Sequence, residues 1–184
     1  MSRLVVIAGP TAVGKGTLVR ALREREPSVW VSVSATTRAP RPGEIDGVHY
    51  FFVDDAEFDR LVESHELLEW ATVHGKHRYG TPRGPVEERL ALGIPSILEI
   101  DLQGARQVRQ TMPQALFVFV EPPSWDELVR RLEGRGTEDE HQRAQRLETA
   151  REELAAAAEF DEIVVNDDLE RAVDHLERLV LSAR

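Results

Sequence analysis

Apolar residues recur along the chain in short runs, and longer stretches with helical spacing separate them. The runs are "LVVIAG" (Leu4–Gly9), "VSVSAT" (Val31–Thr36), "SILEID" (Ser96–Asp101), "LFVFVE" (Leu116–Glu121) and "EIVVND" (Glu162–Asp167). Several are apolar at successive rather than alternate positions, which calls for strands buried on both faces, as in a parallel sheet covered by helices. Helical periodicity predicts Gly16–Glu26, Pro85–Leu92, Gln103–Thr111, Trp125–Arg135, Arg143–Ala158 and Leu169–Ser182. Ser124 and Glu127 have the spacing of a capping box before the fourth of these, and Pro85 suits a first helical turn. Strands and helices therefore alternate, which is an α/β fold.

Two segments interrupt the alternation. Residues 36–84 are rich in Pro, Gly, Arg and aromatics, with only a short helix expected at Glu57–His65. Residues 134–146 are polar apart from Ala144 and join two helices. Long insertions over a rigid sheet are where substrates are held and lids move.

Composition narrows the function. A chain of 184 residues buries one good core. No run approaches the roughly 18–20 apolar residues of a membrane span, and the first residues lead into a strand without the layout of a signal peptide. There is no cysteine, hence no disulfide and no thiolate metal site. A cytoplasmic protein is expected. The formal charge of −10 argues against broad nucleic-acid or membrane binding, because both surfaces are anionic. Any phosphate site must then be local, and Arg38 and Arg41 form such a cluster. The histidines form no metal pattern; His74 and His77 flank Gly75 in a turn-like segment and are read as solvated.

The strongest chemical signal is "GPTAVGKGT", between the first strand and the first helix. Gly9, Pro10, Thr11, Ala12, Val13, Gly14, Lys15, Gly16 and Thr17 are expected to wrap the phosphates of a nucleotide. Gly9 and Gly14 let backbone N–H groups turn inward, the helix start adds its dipole, and Lys15 reaches the outer phosphates. The usual pattern G-x-x-x-x-G-K-[ST] asks for a hydroxyl where this chain has Gly16. Mg²⁺ commonly keeps several waters, so another water can take that place for about 0–2 kcal/mol of immobilisation.

"SVSATTRAPRPGEIDGVHYFF" (Ser32–Phe52), "ELLEWATVHGKHRYGTP" (Glu66–Pro82), "LEIDLQGARQV" (Leu98–Val108), "RRLEGRGTE" (Arg130–Glu138) and "VVND" (Val164–Asp167) together resemble guanylate kinase over essentially the whole chain. The resemblance implies a P-loop NTPase-type parallel sheet with helices on both faces, a GMP-binding insertion and a helical lid. In this chain the core would comprise 1–35, 83–124 and 158–184, with the insertion at 36–82 and the lid at 125–157. It also implies transfer of phosphate from ATP to GMP with Mg²⁺ as cofactor. Arg38, Arg41, Tyr50 and Tyr79 would hold the GMP phosphate, and two guanidinium forks suit a dianion. Glu69 would accept hydrogen bonds from guanine, and Ser34 and Thr81 would meet its O6/N7 edge. Asp101 is left between the base and, through water, the metal; no direct protein ligand to Mg²⁺ is assigned. Arg131, Arg135 and Arg146 match the lid arginines and join Lys15 as candidate catalytic residues, and Asn166 falls where the family contacts adenine. Gly16 departs from the family's usual Ser.

Two rivals remain at this stage. One is a guanylate kinase-like binding module without catalysis, but this chain keeps the loop lysine and the lid arginines. The other is a kinase for a different nucleoside monophosphate, which leaves Glu69 and the "SVSATTRAPR" block without a purpose.

Overall fold

The computed structural model describes residues 2–73, 75–133 and 140–183. His74 and Arg135, both singled out above, lie outside them. In chain order the elements are β1 (Leu4–Ala8), α1 (Lys15–Arg25), β2 (Trp30–Val31), β3 (Ala35–Thr36), β4 (Phe51–Phe52), α2 (Asp55–Glu63), β5 (Leu67–Val73) and β6 (His77–Pro82). Then follow α3 (Arg83–Ala91), β7 (Ser96–Glu99), α4 (Leu102–Thr111), β8 (Leu116–Glu121), α5 (Trp125–Glu133), α6 (Glu140–Ala155), a 3-10 turn (Ala156–Glu159), β9 (Glu162–Val165) and α7 (Leu169–Ser182).

The main sheet runs β2-β7-β1-β8-β9, with neighbouring strands parallel. Alternate residues of β1 enter two separate cores. Val5 and Ile7 pack with Leu18 and Leu22 of α1 and Val173 and Leu176 of α7. Leu4, Val6 and Ala8 pack with Val86 of α3 and Ala105 and Val108 of α4. Burial on both faces is the physical reason for the unbroken apolar run.

A second sheet, ordered β4-β3-β6-β5, was not legible as strands. β3 and β4 are two residues each, too short to show a period. The expected strand Val31–Thr36 divides between the two sheets. Its valines alternate with Ser32 and Ser34, so it never had the pattern of a strand buried on both faces. Ser32 N–H still bonds the Ile97 carbonyl at 2.9 Å, whereas Ser34 already accepts from Phe51 N–H at 2.9 Å in the second sheet. Ala35, Phe58, Leu61 and Leu67 give this sheet its own small core with α2. Leu128 and Leu132 of α5 and Ala150 of α6 make another.

The short helix lies at Asp55–Glu63 rather than Glu57–His65, because Asp54 caps it by accepting from Glu57 N–H at 2.8 Å. β7 ends at Glu99, so Asp101 does not end a strand as expected. It is the N-cap of α4, its Oδ1 accepting from Gly104 N–H at 2.7 Å.

Candidate active site

The loop between β1 and α1 is shaped by two glycines. Gly9 has φ +150°, and a Cβ there would lie 2.4 Å from the Val120 carbonyl oxygen. Gly14 has φ +96°, and a Cβ would come 2.7 Å from Asn166 Nδ2. Ala12 between them also holds a positive φ, 66°, a strained conformation of the kind found where a backbone is pre-shaped for a ligand. Gly14 caps α1 without a side-chain acceptor, so the first N–H groups of the helix are presented to an incoming anion.

Lys15 Nζ donates to the carbonyls of Gly9 at 2.6 Å and Pro10 at 3.2 Å. Withdrawal from water pushes its pKa down, and Glu153, Glu99 and Asp101 in that order pull it back up. The lysine therefore rests on its own loop, among carboxylates, until phosphates offer a better partner. Thr17 is exposed at the helix start.

Glu99, which the sequence reading passed over, is the acid facing the missing hydroxyl. A Cβ on Gly16 would stand 3.6 Å from Glu99 Oε1. Partial desolvation raises the Glu99 pKa, and the Lys15 charge opposes that. The signal in the sequence is the pair of acids in "LEID": Asp101 spends Oδ1 on the helix cap, while Glu99 meets Gly16.

On the second sheet, Glu69 is buried, with 9% exposure, and Thr81 Oγ1 donates to its Oε1 at 2.6 Å. Burial pushes the Glu69 carboxyl up, the Thr81 hydroxyl pulls it down, and nearby Asp101 adds to the rise. A register shift between Leu67 and Trp70 frames this residue; such bulges re-aim side chains. Ser34 is half-buried at the start of β3.

Arg38, Tyr50 and Tyr79 come together. The Arg38 guanidinium lies 5.3 Å from the Tyr50 ring centre, and the two tyrosine rings meet edge-on at 5.9 Å. Glu44 organises them: it takes both Arg38 nitrogens at 2.8 and 3.0 Å and accepts from Arg41 N–H at 2.7 Å. Hydrogen bonding to Arg38 holds the Glu44 carboxyl down to about 2 and raises the Arg38 pKa. Arg41 enters through its backbone; its side chain is exposed.

α5 and α6 lean on the loop between β1 and α1. Arg131 Nη1 on α5 donates to the Val13 carbonyl at 3.2 Å while its Nε donates to Glu127 at 2.9 Å. Glu153 on α6 accepts from Thr11 N–H at 3.3 Å, and desolvation raises its pKa. Arg146 lies exposed on α6. Asn166 turns inward: it is buried, and Nδ2 donates to the Val13 carbonyl at 2.9 Å. That bond props the loop with one N–H of the amide.

Among the described residues no group of three or more His, Cys, Asp or Glu could hold a metal alone, and no helix is long and apolar enough to cross a membrane.

A parallel sheet that delivers a lysine-bearing glycine loop to a helix start, with a buried acid on an appended sheet and helices leaning over the loop, defines a P-loop α/β protein of the nucleotide kinase type. The guanylate kinase family profile matches residues 1–183. The chain is 62% identical to guanylate kinase of Thermobifida fusca (strain YX) over 97% of this chain and 90% of that one, and 60% identical to that of Cutibacterium acnes over 96% and 89%. Guanylate kinase from Anaplasma phagocytophilum, a crystal structure, superposes with TM-score 0.71 at 32% identity, covering 98% of this chain and 85% of that one. The chain belongs to the guanylate kinase family.

Proposed function

We infer that this chain transfers the γ-phosphoryl group of ATP to GMP, giving ADP and GDP. The observation that carries the site assignment is the position of Asp101. Its Oδ1 and Glu69 Oε2 both lie 3.3 Å from where a Cβ on Gly104 would stand, and Asp101 and Lys15 are close enough for their charges to interact. A nucleoside triphosphate on the loop and a purine against Glu69 would therefore share one cleft.

The loop N–H groups and Lys15 take the β- and γ-phosphates. Lys15 leaves the Gly9 and Pro10 carbonyls to do so. Arg38 presents its remaining edge to the GMP phosphate, joined by Arg41 and the phenols of Tyr50 and Tyr79. The acceptor is already anionic at neutral pH, so no general base is needed. Positioning and charge do the work.

Glu69 receives the guanine N1–H and amino group and Ser34 meets the O6/N7 edge, whereas the Thr81 hydroxyl, expected on that edge, already donates to Glu69 and steadies its carboxylate. Adenine would leave the buried carboxylate with the Thr81 hydroxyl alone, and sites built on such hydrogen bonds reject analogues by roughly 10⁴–10⁵. Arg131, Arg135 and Arg146 bring positive charge to the transferred group, and the lid excludes water that would hydrolyse ATP.

The donor set suits Mg²⁺. Glu99, whose carboxylate lies beside Gly16, would hold the ion together with water, and the ion would supply charge neutralisation for the phosphates. Asp101 remains a second candidate through water. The enzyme is cytoplasmic in this proposal, with ATP and GMP as its partners and without nucleic-acid or membrane contact; the charge of −10 supports this.

ADP release from MgATP with GMP, AMP, CMP or UMP tests the reaction and its selectivity together. Rapid turnover with GMP alone is expected, and Lys15→Ala should abolish it. Saturable GMP binding without turnover would favour a binding module.

A further inference from the structure

The edge of the second sheet nearest the core is β5, and among the described residues its outer backbone edge has no strand beside it. Unpaired edges are costly when covered and hazardous when open. Here the neighbour is α4, a helix of the main core. Gln107 Oε1 accepts from Trp70 N–H at 3.0 Å, and Gln107 Nε2 donates to the Trp70 carbonyl at 3.0 Å. One turn along, Thr111 Oγ1 donates to the Leu68 carbonyl at 2.7 Å.

The spacing explains the fit. Residues 107 and 111 share one helix face, and residues 68 and 70 share one edge of a strand. Gln107 offers a donor and an acceptor side by side, as a neighbouring strand would.

Glu69 lies between the two tied residues, inside the register shift that spans Leu67 to Trp70. The start of α4 closes on the same carboxylate. A Cβ on Gly104 would sit 3.3 Å from Glu69 Oε2 and 3.3 Å from Asp101 Oδ1. α4 thus holds the strand on both sides of Glu69 and approaches its carboxylate as well.

We propose that Gln107 and Thr111 are positioning residues for base selectivity: they clamp β5 to α4 and so fix the Glu69 carboxylate relative to Asp101. Neither touches the nucleotide. The clamp rests on the assignment of Glu69 as the guanine acceptor. It also means that the β5 side of the insertion stays with the core, and any closure over GMP occurs on the Arg38–Tyr50 side. A displacement of about 1 Å at such a site can cost up to 10²-fold.

The test uses the full chain and measures kcat and KM for GMP, AMP and ATP in Gln107→Leu, Thr111→Val, Thr111→Ser and Glu69→Gln. Gln107→Leu should raise KM for GMP about ten-fold and narrow the GMP-to-AMP ratio of kcat/KM, with KM for ATP within about two-fold. Thr111→Val should follow with a smaller change. Thr111→Ser, which keeps the hydroxyl, should match the parent enzyme. If Gln107→Leu does not fold, the Thr111 pair carries the same comparison.

Loss of selectivity in Glu69→Gln alone, with the Gln107 and Thr111 variants unchanged, overturns the clamp and leaves the site assignment standing. Equal losses for GMP and ATP in those variants also overturn it, since a merely structural role does that. Unchanged selectivity in Glu69→Gln overturns the assignment of Glu69 and the clamp with it.

Discussion

Glu44 shows how much one side chain can organise. Its carboxylate occupies one fork of Arg38 and pins the backbone at Arg41, so the two arginines proposed to take the GMP phosphate are held in place without a ligand. The pair also competes with phosphate for the same guanidinium, but only for one of its edges. Preorganisation should dominate, because a bidentate Arg–carboxylate pair fixes direction as well as distance. Glu44→Gln is expected to raise KM for GMP about ten-fold, roughly 1.4 kcal/mol, leaving KM for ATP nearly unchanged. Its carboxyl pKa is depressed to about 2 from 4.5, so the interaction is intact above about 4.5 and lost as pH falls toward 2. A side-chain NMR titration should place the midpoint there. An unaltered KM for GMP in Glu44→Gln would show that the arginines need no such anchor. Glu44 was within reach of sequence reasoning, since an acid three residues after Arg41 in a Pro-Gly turn is well placed to meet it. A surface acid beside an arginine is common, however, and nothing local marks this one as bidentate.

At the scale of elements, the phosphate site is made where the start of α1 meets the end of β7. The loop half of this was legible, because glycine at positive φ and lysine before a helix leave a local mark. The Glu99 half was not, since parallel pairing of β1 with β7 is what brings residue 99 opposite residue 16. If Glu99 and water already serve the ion, restoring a hydroxyl gains little. Gly16→Ser should leave the Mg²⁺ half-saturation within about two-fold, since a bound water already fills the place of the hydroxyl and many ordered waters cost little to hold. Glu99→Gln should raise it about ten-fold, by removing the charge of the carboxylate beside Gly16. Mn²⁺ binding in the presence of ADP, followed by electron paramagnetic resonance, reads the site independently of turnover. A large effect of Gly16→Ser and none of Glu99→Gln would reverse the assignment.

Burying Glu69 costs the whole molecule some stability, which the proposed guanine contact would offset in selectivity. Desolvation raises its folded pKa, with Thr81 only partly offsetting. Between its ordinary value of 4.5 and the raised folded value, the folded state keeps a proton that the unfolded state has lost. Stability therefore falls as pH rises through that window, and the cost persists above it. Glu69→Gln removes that cost. Its Tm should exceed the parent's at pH 8, and the gap should close as pH falls toward 4.5. The same variant should lose its preference for GMP, a stability–activity exchange of the usual kind. Equal Tm values at pH 8 would mean that the carboxylate is not strained by burial. The sequence alone determined the α/β core, the phosphate loop and the family, because strand runs, helical spacing and glycine conformations are local properties written in neighbouring residues. Only the tertiary structure decided the rest: Gln107 meets a residue 37 positions away, Thr111 one 43 away, and Glu153 reaches Thr11 across 142. Such partners carry no mutual mark along the chain. They are chosen by sheet order and helix packing, which bring together residues whose separate patterns say only that each is polar.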